Sequence, residues 1–299
     1  MATPGREGEA LMSRSAEHRT KPAAGTSALK LDKLSISFGG LKAVCDFSLE
    51  LPPKGLYGLI GPNGAGKTTV FNLLTGVYQA TGGSIELCGV RMNGKKPSEI
   101  AHAGMARTFQ NIRLFGELSV IDNVRTAAGV RTKSGLFRTL FRTPMHVAEE
   151  NAITERSLEL LDVLGITHRR EEQAKSLPYG DQRRLEIARA LATEPDVLLL
   201  DEPVAGMNTI EKKEMRKLIQ SLREQFDVAI LLIEHDMGLV MDICEHITVI
   251  DHGVTIATGT AKDVQGNPAV IEAYLGVPDE EDPIPLPDSV PTSDKPETA

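Results

Sequence analysis

The sequence predicts an α/β fold built on a parallel sheet, and three observations carry the prediction. A glycine-rich run, Gly61-Pro62-Asn63-Gly64-Ala65-Gly66-Lys67-Thr68-Thr69, lies between an apolar stretch (Leu56 to Ile60) and a helix-like one (Val70 to Leu74). Val197 to Leu200 is wholly apolar and ends in Asp201-Glu202-Pro203. Val228 to Ile233 is a second such run and ends in Glu234-His235-Asp236. A short strand buried on both faces that delivers acids at its carboxyl end is what a parallel sheet uses for a ligand site.

Bulk properties bound what such a fold can be. At 299 residues and 41% hydrophobic, the chain can bury a core as one large domain or as a domain with a subdomain. Trp is absent and aromatic residues are 4%, so the core is expected to be aliphatic. No apolar run approaches the ~18 to 20 residues that cross a bilayer, and Met1 to Ala28 has no apolar signal core, so the expectation is a protein kept in the cytosol. Cys45, Cys88 and Cys244 are odd in number and far apart, which favours small core residues over a disulfide framework or a zinc site. Of the formal charge of -8, the tail from Val277 contributes most: Asp279, Glu280, Glu281, Asp282, Asp288, Asp294 and Glu297 stand against Lys295 alone. The body is only weakly acidic, which argues against sequence-independent nucleic-acid binding.

In chain order, residues 1–28 are rich in Ala, Gly, Ser and charge without periodicity and read as a disordered leader. Leu34, Ile36 and Phe38 alternate with polar residues as a half-buried strand does, Gly39-Gly40 turns the chain, and Val44 to Leu51 returns it. Phe38, at a strand end shortly before the glycine-rich loop, either stacks on a ligand ring or is ordinary core. Ile85 to Leu87 and Met105 to Phe109 are strand-like, the latter ending at Gln110. Between Arg125 and Arg142, five bases interleave with Leu136, Phe137, Leu140 and Phe141. That stretch is a basic surface elaboration or a contact for a membrane surface or partner helix. Asn151 to Leu164 carries Leu158, Leu161 and Leu164 at helical spacing and stops at Gly165. Leu177 to Gln182 is a turn that opens a helix with Leu185, Ala188, Leu191 and Ala192 on one face. Glu211 to Arg223 is a charged amphipathic helix, Ile247 to Ala257 a hairpin turning at His252-Gly253, and Pro268 to Leu275 a last helix. The acidic tail holds six prolines and is expected to stay extended.

The spacing GxxxxGK[ST] is that of a phosphate-binding loop: glycines let the backbone curl so that successive amides face phosphate oxygens at a helix N-terminus. Lys67 then reaches the β- and γ-phosphates, the Thr68 hydroxyl ligates Mg2+, and Thr69 adds a contact to the α-phosphate. Asp201 fits the strand-end carboxylate that holds Mg2+ directly or through water. Glu202, one residue on, is a candidate to polarise the attacking water, worth on the order of 10^2 to 10^4 in rate. His235 at the next strand end can hydrogen-bond the γ-phosphate, and the Gln110 amide can ligate Mg2+ or water. Read alone, each of the last two is as easily structural.

The order GPNGAGKTT, TFQ, LPYGDQRRLEIARAL, LLLDEP, IEHD resembles that of ATP-binding cassette (ABC) ATPases over Leu29 to about Gly276. The signature segment just before the Walker B strand is the decisive part. The resemblance implies an α/β P-loop NTPase fold with a mixed β core, an antiparallel β subdomain and an α-helical subdomain at about 111–177, with residues 277–299 as a disordered tail. It implies ATP and Mg2+ as ligands, Phe38 as the adenine-stacking aromatic, Gln110 as the Q-loop, Leu177 to Gln182 as the signature, Gly206-Met207-Asn208 as the D-loop and His235 as the switch histidine. In this family two ATPases pair head to tail, so Tyr179, Gly180 and Asp181 are expected on the nucleotide held by the other chain. The sequence departs from the common LSGGQ: Pro178 replaces serine, Tyr179 a glycine and Asp181 glutamine. A hydrogen bond to a charged group is worth about 1.5 to 3 kcal/mol, so if the second ATPase, in a homo- or heterodimer, is a different chain, the half-site closed by this signature is expected to be the weaker one.

Within the family, the variant signature, RTFQNIRLF, AGMN, EHDMGLVMDICEHITVIDHG and NPAVIEAYLG are similar to the ATPases of branched-chain amino-acid importers, with urea or amide importers close by. That similarity implies two transmembrane permeases, a second ATPase and an extracytoplasmic solute-binding protein as partners, and a peripheral place on the cytoplasmic face of the membrane. Asn111 to Phe115 would receive a permease helix, or Ile112 and Leu114 are subdomain core. A soluble cassette in DNA repair or translation would carry a coiled-coil insertion or two cassettes. A non-catalytic cassette is disfavoured by Lys67, Asp201, Glu202 and His235.

Overall fold

The computed structural model describes residues 26–131 and 144–275. Residues 1–25 of the expected leader, 132–142 of the basic stretch and the acidic tail lie outside the described residues. Residues 26–28, assigned above to the leader, are part of the fold: Ala28 is buried and donates its amide to the Leu51 carbonyl at 2.9 Å.

Strands β1 (Leu29–Phe38) and β2 (Leu41–Leu51) form the expected hairpin, turning at Gly39 and Gly40 with φ of 52° and 93°, values that favour glycine. After β3 (Leu56–Ile60) and helix α1 (Lys67–Leu74), β4 (Gly82–Leu87) pairs with β1 and β5 (Val90–Arg91) with β4. These strands complete an antiparallel sheet in the order β2-β1-β4-β5. The chain then runs through α2 (Pro97–Ala103), β6 (Met105–Arg107), α3 (Val120–Ala128), α4 (Pro144–Val163), α5 (Tyr179–Ala192), β7 (Val197–Asp201), α6 (Thr209–Phe226) and β8 (Ala229–Ile233). It closes with α7 (Met237–Ile243), β9 (His246–Asp251), β10 (Val254–Gly259), α8 (Ala261–Gln265) and α9 (Pro268–Leu275). The second sheet has the order β10-β9-β3-β8-β7-β6 and is parallel except where β10 returns along β9.

Alternation along the central strands explains the layers. Leu198, Leu200, Ile230 and Leu232 face one core with the buried residues of α3 to α7, whereas Val197, Leu199, Leu231 and Ile233 face a second core with Phe47, Phe71 and the antiparallel sheet. Every residue of β7 and β8 is buried, as expected of strands covered on both faces. No helix among the described residues is long and apolar enough to cross a membrane.

Several boundaries differ from the sequence reading. The strand expected to end at Gln110 stops at Arg107, although the Thr108 amide still reaches the Leu199 carbonyl at 3.0 Å. Helix α6 begins two residues early because Asn208 caps it, accepting from the Ile210 and Glu211 amides, while the Glu211 carboxylate accepts from the Asn208 amide. Of the cysteines, only Cys244 is buried; Cys45 and Cys88 are half-buried.

In α4, Ser157, Leu160, Leu161 and the following Leu164 are fully buried, and Leu158 is only half-buried. The i, i+3, i+4, i+7 stripe therefore runs through Leu160, not Leu158; four leucines in seven residues left the register ambiguous. Leu160→Ala is expected to cost about 2 to 5 kcal/mol and Leu158→Ala clearly less, measured by urea unfolding. Equal costs would refute this register.

Candidate functional site

In-register pairing levels the carboxyl ends of three parallel strands. Ile233 of β8 is opposite both Leu59 of β3 and Asp201 of β7, and the Glu202 amide donates to the Ile233 carbonyl at 2.9 Å. The glycine-rich loop, the Asp201-Glu202 pair and the Glu234-His235 pair thus leave one edge of the sheet together.

The loop 61–69 is held from behind. A Cβ on Gly61 would lie 2.0 Å from the Ile250 carbonyl oxygen, and one on Gly66, whose φ is 107°, 2.8 Å from that of Ala43. The Gly253 amide donates to the Ala65 carbonyl at 2.8 Å. The buried Lys67 bends back so that Nζ donates to the carbonyls of Gly61 (2.6 Å) and Pro62 (2.8 Å). Burial holds its ammonium below the ordinary lysine range, while the Glu202 and Asp201 carboxylates pull it back up. Asn63, Gly64 and Thr68 are exposed, and Pro62 and Thr69 half-buried. Phe38 is 45% exposed and meets Tyr78 edge to face at 5.1 Å, so the reading of it as ordinary core is wrong.

At the strand ends, the Gln110 amide Nε2 donates to Glu202 Oε2 at 2.9 Å, and His235 Nδ1 stands 3.8 Å from the same oxygen. Glu202 holds a left-handed backbone, φ 49°, a strained conformation for a non-glycine residue. His235 is well exposed, yet its loop is fixed by Glu234. That fully buried carboxylate accepts from the amides of Val204 (3.1 Å), His235 (3.1 Å) and Asp236 (3.3 Å). Burial pushes the Glu234 carboxyl up, and the amides and His235 oppose it. Asp236 caps α7 through the Leu239 amide and accepts from Lys212 at 2.7 Å.

The expected signature lies at the start of α5. Pro178 stands at the N-cap with no side-chain hydrogen bond to the helix, which leaves the first-turn amides uncapped. Asp181 pairs with Arg169 at 2.8 Å, and a Cβ on Gly180 would come 3.2 Å from Glu211 Oε1. Among the described residues, no hydrogen bond or ion pair of residues 179–181 reaches the loop 61–69.

Sequence reasoning missed four buried charges. Arg107 Nη2 donates to Asp201 Oδ2 at 2.7 Å and Nη1 to Asn72 Oδ1 at 2.8 Å, with the guanidinium over the rings of Phe71 and Phe109. Arg183 and Glu186 form a pair at 3.1 Å inside α5, and Glu234 was read only as a neighbour of His235. The one available signal was charge inside apolar surroundings: Arg107 in a strand-like run, and Arg183 and Glu186 in a helix apolar on more than one face.

Removing one partner of a buried ion pair leaves the other uncompensated and costs about 3 to 5 kcal/mol. Arg107→Ala is therefore expected to destabilise the chain by that order in urea unfolding, and Asp201→Asn, which keeps a hydrogen-bonding partner, by less. The reverse order would contradict the pairing.

Comparison with known proteins places this geometry. The sequence profile described as "ABC transporter" matches residues 44–205, and that described as "Branched-chain amino acid ATP-binding cassette transporter" matches residues 254–280. The chain is 48% identical over 248 residues to the high-affinity branched-chain amino acid transport ATP-binding protein LivG of Escherichia coli K12, covering 83% of this chain and 97% of the relative. It is 45% identical to BraF of Pseudomonas aeruginosa, a protein described in the same terms, with the same coverage. The crystal structure of an ABC transporter's ATP-binding cassette in its ADP conformation superimposes with a TM-score of 0.73 at 29% identity, covering 84% of this chain and 99% of that one. With the phosphate-loop geometry, the level strand ends and these matches together, the chain belongs to the ABC transporter family, as an ATP-binding cassette.

Proposed function

We propose that this ATPase drives a membrane importer for branched-chain amino acids, working in the cytoplasm at the membrane face as one of two paired cassettes. The observation that carries the reading is the gathering of Lys67, Asp201, Glu202, Gln110 and His235 at one edge of the central sheet. The substrate class is supported by the LivG and BraF likenesses and the carboxyl-terminal profile match.

In this reading Phe38 stacks on adenine, the amides of Gly61, Pro62, Asn63, Gly64, Ala65 and Gly66 face the phosphates, and Lys67 exchanges its two carbonyl partners for β- and γ-phosphate oxygens. Mg2+ fits the residues present: Thr68, Asp201 and Gln110 offer the oxygen ligands a hard divalent cation takes. When bound, the ion would supply charge neutralisation at the phosphates. Glu202 accepts the proton of the attacking water, and His235 and Gln110 orient that water and the γ-phosphate. The uncapped end of α5, with Tyr179, Gly180 and Asp181, closes over the second cassette's nucleotide; Pro178 brings no hydroxyl to that closure, which makes it the weaker half-site where the second cassette is a different ATPase.

The chain divides, in this reading, into a cassette that begins at about residue 26 and runs to about 276, with a helical subdomain over about 111–177. A cavity of about 600 Å3, lined by Val77, Ile100, Phe109, Arg113, Phe115 and Val130 among others, supports docking of a permease's cytoplasmic helix. Phe115 is exposed there, which supports a docking role, while Leu114 packs against the core, which supports the reading of it as subdomain core. Two permeases, a second cassette and an extracytoplasmic binding protein complete the assembly.

Glu202→Gln in the assembled transporter is expected to lower ATP turnover by about 10^2 to 10^4 while ATP still binds, measured by phosphate release and by fluorescent-nucleotide titration. Retained turnover, with loss only on the equivalent change in the second cassette, would exchange the roles of the two half-sites. Uptake of radiolabelled leucine, isoleucine and valine by the reconstituted complex tests the substrate class; transport of urea or amides instead would overturn it.

A further inference from the structure

The substitution of Tyr179 for the common signature glycine has a structural counterpart within the same chain. Arg183, one helical turn on, is 3% exposed, and each of its donor groups is engaged. Nε and Nη2 donate to the Tyr179 hydroxyl at 3.2 and 2.9 Å. Nη1 donates to the Phe109 carbonyl at 2.6 Å and to Glu186 Oε2 at 3.1 Å, and Nη2 also donates to the Gln110 carbonyl. Glu186 returns to the same loop, its Oε1 accepting from the Phe109 amide at 3.1 Å. The Tyr179 ring lies against Gly206: a Cβ there would stand 3.4 Å from Tyr179 Cε1. The first turn of α5 is therefore bolted to the main chain of residues 109 and 110, and the side chain of Gln110 is the one that meets Glu202. With glycine at 179, two of the donor directions of a buried guanidinium would lose their acceptor.

We propose that Arg183 is a positioning residue, held by the Tyr179 hydroxyl and Glu186, that fixes the 109–110 main chain and so sets Gln110 against Glu202. The inference rests on the proposed role of Glu202 in hydrolysis and deepens it: the segment that faces the second cassette's nucleotide and the loop that orients this chain's own catalytic carboxylate move as one body. Tyr179 is the residue that makes the bolt complete, and its aromatic ring extends the link to Gly206 in the following loop.

The test compares Tyr179→Phe, which removes one oxygen and keeps the ring on Gly206, with Arg183→Lys, which cannot span the same acceptors and is too buried to touch a nucleotide. In the reconstituted transporter both are expected to lower kcat about tenfold with KM for ATP held within about twofold, the pattern of a contact that matters after ATP has bound. In the isolated full-length chain, hydrogen exchange at the amides of residues 109–111 is expected to rise in both variants, with exchange in α1 and ATP affinity unchanged. Wild-type kcat and wild-type exchange in Tyr179→Phe would overturn the proposal. So would a loss of ATP affinity that simply tracks a general loss of thermal stability, because that is the mark of scaffold damage. A kcat effect in Tyr179→Phe alone, absent in Arg183→Lys, would assign the hydroxyl to the second cassette's nucleotide and refute the bolt. If the wild-type transporter fails to hydrolyse ATP, the proposed function fails, and the exchange measurement, which needs no turnover, still decides the Arg183 contact.

Discussion

The structure depends on the parallel pairing of β3, β8 and β7 in one register. Because Ile233 stands opposite both Leu59 and Asp201, three strands end level, and whatever follows each is delivered to the same place. A slip of one residue would turn each strand's side chains to the other face and withdraw one of the site's members. The register is enforced by burial: β7 and β8 have no exposed residue, so alternate side chains must fill two different cores. Strand hydrogen bonds and apolar packing thus set the position of the groups at the strand ends, Asp201, Glu202 and His235 among them.

Around that edge, buried charge is used for orientation. Arg107 grips Asp201, Glu234 ties the His235 loop to Val204, and Arg183 with Glu186 ties residues 109 and 110 to α5. Each is a charge taken out of water and then surrounded by hydrogen bonds, an arrangement that is costly to break and gains little net stability. Its consequence is directional: a side chain mounted on one of these loops acquires the precision of a side chain on a strand. The cleft beside Phe109 and Arg113 adjoins these same ties, so a helix docked there rests on the segment that carries Gln110.

Much of the site was legible because it is written as contiguous motifs at strand ends. Gly61 to Thr69, Asp201-Glu202 and His235 each follow a short apolar run, and the pattern alone put them at one edge. The pattern alone left Gln110 as easily structural, and only the family resemblance singled it out; its strand ends three residues earlier than expected. What escaped were interactions with no local signature. Arg107 and Asp201 are far apart in sequence, as are Arg183 and Phe109, and nothing in either neighbourhood announces its partner. Before the family resemblance, Phe38 stayed undecided because alternation cannot say whether a strand's last residue lies inside the core or beyond it. Leu158 was taken for Leu160 because a helix rich in leucine satisfies two registers equally well.

The most direct test of the central claim is the density of a nucleotide in the complete transporter trapped with ATP and Mg2+, imaged by electron cryomicroscopy. The account predicts a γ-phosphate within hydrogen-bonding distance of Lys67 Nζ and His235, beside Glu202, with the amino end of the second cassette's signature helix closing over it. A nucleotide seated elsewhere, or strand ends at Asp201 and His235 that do not face it, would contradict the account.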